Sequence, residues 1–368
     1  MQHSYQLLDA DSVPSPALLF YPAVIRQNIA AAVQHVGNPA RLRPHVKTHK
    51  CPQIVAMQLA AGVTKHKCAT IAEAETLAIA GAPDVLLSYP LVGPNIQRFF
   101  ALQTKYPNTM FSAVVDHPAM VQPLASAPRP LDVYIDVNMG MDRTGAGFDL
   151  LEELSTTIAN TKPLRLAGWH CYDGHINQEN PQERETSIRA RLDLLLDMRE
   201  GVEQAGVPVP VLICGGTPGF PIYAKIRDIP GLECSPGTYV LHDQGYGSKY
   251  PDFTGLQHGA LMLTRVVSRP RSNRVTFDLG NKSVAADPLL SKRVHLLDAP
   301  PHTPVVHSEE HYTIETEEAD QYQPGDVAYA VPGHICPSVA LHRWAYTVED
   351  GVVTGRWEIS ARERMLTV

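Results

Sequence analysis

RLRPHVKTHK, residues 41–50, holds four lysines or arginines and two histidines within ten positions. Three readings compete for it: a nucleic-acid patch, a solvated charge run, or a strand that delivers one lysine to a reaction site. The formal net charge of -7 argues against a general nucleic-acid or membrane-surface role. The basic decapeptide is therefore local, and a small phosphate-bearing molecule suits it better than a polymer. Apolar and polar residues alternate up to Lys47, which fits a strand over 43–47 ending at that lysine.

Working outward, short apolar runs recur with helical segments between them. After RPHVK come KHKCA (65–69), DVLLS (84–88), FSAVV (111–115), LDVYIDV (131–137), LRLAGWH (164–170), PVLIC (210–214) and LECS (232–235). Between them CPQIVAMQLAAG, IAEAETLAIAGA, PNIQRFFALQTKY and FDLLEELSTTIAN show helical spacing. In QERETSIRARLDLLLDMREGVEQAG that spacing puts Ile188, Leu192, Leu195 and Val202 on one face. Strands alternating with helices, eight of them, predict a parallel (β/α)8 TIM-type barrel. The doubly wound open sheet lacks support, because no glycine-rich turn follows the first strand. Past residue 255 the pattern changes to strands joined by turns, with no helix of useful length. The expected organisation is a barrel over 21–254 and an all-β domain over 255–368, with residues 1–20 packing with the latter.

Hydrophobic residues make up 44% of the 368-residue chain and charged residues 19%, values that suit a globular protein with a large core. MQHSYQLLDADSVPSP has no apolar core of signal-peptide length, and no run of about 18 apolar residues occurs. The expectation is a cytoplasmic protein without membrane spans. Six scattered cysteines without paired CxxC spacing read as reduced thiols, most of them core residues.

Chemistry in a barrel sits at the C-terminal strand ends. Lys47 falls there, where packed neighbours can lower an ammonium pKa and allow a Schiff base with a carbonyl; the alternative is a surface lysine. Strand seven runs into Gly215-Gly216-Thr217-Pro218-Gly219, and strand eight into Ser235-Pro236-Gly237-Thr238-Tyr239. Glycine turns at these two places commonly bind phosphate through backbone N–H groups. With a lysine opposite, they point to a phosphorylated aldehyde cofactor, pyridoxal phosphate. Arg143, past strand five, either meets the cofactor's phenolic oxygen or a substrate carboxylate, or pairs with Asp136 or Asp142. His170, Tyr172 and His175 end strand six, placed to stack on a pyridine ring or relay a proton, or else to be satisfied by backbone. In VPGHICPSV, His334 and Cys336 are two apart, which on a strand puts both on one face. Imidazole and thiolate together favour zinc or another late transition metal. Two donors are too few for a structural zinc site but suit a catalytic metal; the alternative is core packing.

RPHVKTHK, IDVNMGMDRTG, GGTPG, SPGTY, HSEEH (307–311) and PGHICPSVALH resemble the D-threonine aldolase and D-serine dehydratase family, fold-type III pyridoxal-phosphate enzymes related to alanine racemase. The resemblance extends over nearly the whole chain. It implies that Lys47 carries the cofactor, that Arg143 approaches its ring and that Tyr172 lies near it. It implies that Gly215, Gly216, Thr217, Gly237, Thr238 and Tyr239 hold the phosphate, and that His334 and Cys336 hold a divalent metal (zinc or manganese, or else magnesium). The implied substrates are small D-amino acids with a β-hydroxyl, and the implied assembly is a homodimer. Retro-aldol cleavage to glycine and an aldehyde is the leading expectation. Dehydration of D-serine or D-3-hydroxyaspartate to a 2-oxo acid and ammonia is the runner-up. A racemase would leave the His334/Cys336 pair unexplained, and single-barrel carriers of the cofactor lack a β domain. His66, His170, His175 and His311 are unranked candidates for the base.

Overall fold

The computed structural model describes residues 5–368; the opening MQHS, part of the N-terminal stretch considered above, lies outside them. Its packing divides the chain into two units. One takes the chain up to Ile29 with Thr48–Cys51 and Thr238–Arg362; the other takes Ala30–Lys47, Pro52–Gly237 and Glu363–Val368.

The second unit is barrel-like. Seven parallel strands follow each other in chain order: Lys65–Cys68, Asp84–Leu87, Met110–Val115, Leu131–Asp136, Leu164–Cys171, Leu212–Cys214 and Leu232–Cys234. Helix Pro52–Ala60 precedes the first of them, and helices Ile71–Ile79, Asn95–Lys105, Leu151–Asn160 and Pro181–Gln204 lie between them in sequence. The eighth strand expected at 43–47 is not a strand. Leu42 bridges Cys234 and His45 bridges Lys67, so the segment closes the ring with two isolated contacts. The ladder is carried by Arg43 N–H to the Cys234 carbonyl (2.9 Å), His45 N–H to Pro236 (3.0 Å) and Lys67 N–H to Pro44 (2.9 Å). Pro44 has no N–H to add to this ladder, so regular pairing stops there. The chain then turns into a single 3-10 turn, Val46–Thr48.

Helix Pro181–Gln204 begins as its sequence dictates. The Asn180 side chain accepts hydrogen bonds from the N–H groups of Gln182 and Glu183, and Pro181 occupies the first turn. Ile188, Leu192, Leu195 and Val202 are all buried, as the helical spacing predicts. Each contributes about 1.5–3 kcal/mol by leaving water. Inside the barrel Arg43 donates to Glu233 (2.6 Å) and to both oxygens of Asp84 (2.6 and 3.0 Å), and Lys65 reaches Glu233 at 2.5 Å. Two carboxylates against two cations let this buried layer stay ionised.

The first unit is built on a nine-stranded sheet. Its main path runs Thr303–His307, Tyr312–Glu315, Arg274–Phe277, Ala260–Arg271, Ala17–Phe20, Trp344–Glu349 and Val352–Glu358. Val327–Pro332 pairs with Ala260–Arg271 and with Val294–Leu296. The opening strand ALLF is fully buried, antiparallel to one neighbour and parallel to the other. A seven-residue helix, Ile335–Leu341, departs from the strands-only pattern expected past residue 255. All six cysteines are free. Among the described residues no helix is long and apolar enough to cross a membrane.

Candidate active site

Lys47 stands at the middle of the 3-10 turn that ends the irregular stave. Its own N–H donates to His45 Nδ1 at 3.2 Å, a local bond that fixes the turn. Three cationic groups converge on the ring of Tyr172: Lys47 Nζ at 5.9 Å from the centroid, Lys67 Nζ at 5.6 Å and the Arg143 guanidinium at 5.2 Å. Arg143 is exposed and makes no ion pair among the described residues, so the expected alternative of a partner in Asp136 or Asp142 is not seen. A small cleft is lined by Asp136, Arg143, Thr144, His170 and Tyr172.

Lys67 was not among the sequence candidates. It sits on strand Lys65–Cys68, and its side chain is 2% exposed. Burial and the charge of Lys47 pull its pKa down to about 7, against the opposing pull of Asp136 and Asp173. Its Nζ lies 3.1 Å from His170 Nε2, and His170 Nδ1 lies 2.7 Å from Asp136 Oδ1. Thr144 Oγ1 donates to the other carboxylate oxygen at 2.8 Å. Burial raises the Asp136 pKa, but its bonds to His170 and Thr144 outweigh that and hold it below the usual carboxylate range. Burial and Lys67 together lower the pKa of His170.

The glycine turns come together inside the same unit up to Gly237. Gly237 N–H donates to Thr217 Oγ1 at 3.2 Å, tying the turn after Leu212–Cys214 to the turn after Leu232–Cys234. A Cβ on Gly216 would lie 3.0 Å from the Tyr172 ring, so glycine is what lets the turn approach that ring. Asp173, beside Tyr172 in sequence, is raised to about 6 by burial and accepts a 2.6 Å hydrogen bond from Tyr223. Thr238 and Tyr239, also expected at the phosphate, are buried residues of the other unit.

The remaining histidine candidates separate. His175 is half-buried with Nδ1 lacking a hydrogen-bond partner, and its charged neighbours are Arg191 and Asp142. His66 is fully buried with both ring nitrogens unpartnered; burial and Arg43 drive its pKa down to about 3. His311 is exposed in the turn between two strands of the sheet.

His334 and Cys336 do come together, but not on a strand. His334 caps helix Ile335–Leu341 and Cys336 lies in its first turn. The helix start is fixed from several sides. Asp243 accepts from the N–H of Ile335 at 3.0 Å and from that of Tyr246 at 2.9 Å. Gly333 passes so close to the Lys292 carbonyl that a Cβ would sit 1.7 Å from it. Ser338 donates to the His334 carbonyl at 2.8 Å. His334 Nδ1 lies 2.6 Å from Asp287 Oδ2. Burial lowers its pKa, but Cys336 and Asp287 outweigh that and lift it to about 9. Cys336 Sγ also lies 3.2 Å from Thr48 Oγ1 and 3.7 Å from Thr238 Oγ1.

These donors fit the groups expected from the sequence. Three basic side chains around one aromatic ring, beside a glycine turn that must stay bare, suit an anionic aromatic cofactor. An imidazole and a thiol at the start of one helix, with a carboxylate on the imidazole Nδ1, suit a late transition metal and its outer hydrogen bond. Among the described residues no three His, Cys, Asp or Glu side chains are grouped to hold a metal by themselves, so water or substrate would complete the coordination.

Comparison with known proteins places the chain among relatives. Residues 22–240 match the family model described as alanine racemase, N-terminal domain. Residues 260–348 match one described as a serine dehydratase domain. A D-threonine aldolase of Arthrobacter sp. is 28% identical over 361 residues, covering 95% of this chain and 93% of that one. A D-threo-3-hydroxyaspartate dehydratase of Delftia sp. (strain HT23) is 27% identical over 241 residues, 63% of this chain and 62% of its own. The solved D-threonine aldolase from Filomicrobium marinum superposes with a TM-score of 0.88 at 26% identity, covering 98% of this chain and 99% of that one.

Proposed function

We propose that this chain, which belongs to the alanine racemase N-terminal domain family, is a pyridoxal-phosphate-dependent lyase that cleaves β-hydroxy-D-amino acids to glycine and an aldehyde with the help of a divalent metal. The observation that carries the reading is the convergence of Lys47, Arg143 and Lys67 on Tyr172 beside the Gly216 turn. Likeness to D-threonine aldolases along nearly the full chain supports the retro-aldol outcome.

Pyridoxal phosphate, when bound, supplies an electron sink for the bond that breaks, and the metal a Lewis acid for the β-hydroxyl. Lys47 is the amine that holds the cofactor's aldehyde carbon. The His45 imidazole fixes the turn that would present this amine, by accepting from the Lys47 backbone N–H. Arg143 offers a planar pair of donors for the substrate carboxylate or the cofactor's phenolic oxygen. The turns at Gly215–Thr217 and at Gly237 would receive the phosphate. His334 and Cys336 would hold the metal, with Asp287 fixing the imidazole through Nδ1.

Dehydration is the second reading, and Cys336 favours it. A D-threo-3-hydroxyaspartate dehydratase of the same fold has been solved as a cysteine-to-alanine variant in a metal-free form. Product analysis separates the two. The purified chain, with pyridoxal phosphate and zinc or manganese, would be incubated with D-threonine, D-serine and D-3-hydroxyaspartate, the L-forms serving as controls. Glycine plus aldehyde from the D-forms alone is the expected result. Ammonia plus a 2-oxo acid would replace cleavage by dehydration, and inversion at Cα without metal would make the chain a racemase.

A further inference from the structure

We propose that Lys67 is a further proton-carrying residue of the candidate active site, with His170 and Asp136 as its positioning residues; the proposal rests on the reading of that site as a lyase centre. The three side chains form one buried line. Asp136 accepts from Thr144 on one oxygen and from His170 Nδ1 on the other. An ionised carboxylate accepts only, so His170 carries its proton on Nδ1. That leaves a lone pair on Nε2, and Lys67 Nζ donates to it at 3.1 Å.

Both nitrogens of His170 are thus committed. An imidazole held in this way has no free lone pair for a substrate proton. The atom of the line that faces the other site groups is Lys67 Nζ, which shares the Tyr172 ring with Lys47 and Arg143. A lysine placed only to balance charge would sit against a carboxylate. Here the carboxylate is one imidazole away, and the ammonium gains a directional acceptor without a full opposite charge beside it.

The charges around Lys67 do not cancel. Lys47 and Arg43 disfavour its ammonium, Asp136 and Asp173 favour it, and burial tips the balance towards the free amine, leaving both forms populated near pH 7. The exchange it performs balances simply. When Lys67 takes a proton, an N–H bond forms at Nζ and the donor's O–H or N–H bond breaks; returning it restores both.

The test uses the full chain labelled with 15N-histidine and the variants Lys67→Met, Lys67→Arg and His170→Gln, the last to assign the His170 signal. In wild type, His170 should show the Nδ1–H tautomer, with one step in its shift near pH 7. Lys67→Met should remove the step. In the holoenzyme Lys67→Met should lower kcat for a β-hydroxy-D-amino acid by about 100-fold while KM moves less than about threefold. Lys67→Arg should not restore it, because a guanidinium keeps its proton. A step that persists in Lys67→Met, or full kcat in Lys67→Arg, would overturn the proposal. Lys67→Gln carries the same measurements if Lys67→Met does not fold. A holoenzyme inert towards every β-hydroxy-D-amino acid would instead sink the lyase reading, and the His170 signal would still decide whether Lys67 ionises there.

Discussion

Asp287 Oδ2 lies 2.6 Å from His334 Nδ1, so the imidazole offers only its Nε2 to a metal. A carboxylate in that position fixes ring orientation and makes the nitrogen a better donor. Asp287→Asn should therefore weaken metal binding by about 10–100-fold, read by competition with a chelator, with cofactor absorbance unchanged. Equal affinity in the variant would reduce the contact to an ordinary surface pair, since Asp287 is exposed.

Lys47 is the amine we assign to the cofactor, and no other lysine occupies the turn at the end of the irregular stave. Lys47→Ala should lose the Schiff-base absorbance of the holoenzyme while keeping its circular dichroism. A normal band in this variant would move the assignment to Lys67, whose amine faces the same ring.

Cys336→Ala tests the metal pair from its other side. Cys336 lies in the first turn of its helix, whose start is held by Asp243 and Ser338 rather than by the thiol. The variant should keep both its fold and its bound cofactor, yet lose the metal and reduce turnover to the level of the metal-free protein. Unchanged turnover with added zinc would remove the pair from the mechanism.

The sequence displays what depends on periodicity. The buried face of Pro181–Gln204 and the strand ends before Gly215 and Ser235 follow from spacing alone. The first stave escapes such a reading, because alternation around Pro44 looks like a strand, whereas the missing N–H decides the hydrogen bonding. His334 and Cys336 look like strand residues in the sequence because the apolar run continues through them. The Asp243 cap that starts a helix there lies some ninety residues earlier and carries no local signal. Lys67 was passed over for a similar reason. In KHKCA it looks like one more basic residue, and only closure of the barrel puts it beside His170 and Tyr172.

His66 gives a pH-dependent test of the barrel core. It is fully buried, and neither ring nitrogen has a hydrogen-bond partner. Burial and Arg43 depress its pKa from 6.5 to about 3. Between those two values the unfolded chain binds a proton that the folded chain refuses, so stability rises with pH across this window and is lost as pH falls through it. At pH 5 the loss from this one residue is on the order of 2 kcal/mol, from the 1.36 kcal/mol that each pKa unit represents. His66→Leu removes the titration together with two unsatisfied buried nitrogens, a change worth about 1–3 kcal/mol in its own right. The variant should melt higher than wild type at pH 7.5, and its advantage should widen at pH 5. Melting curves that fall in parallel between the two pH values would mean that His66 is protonated, or reaches water, in the folded barrel.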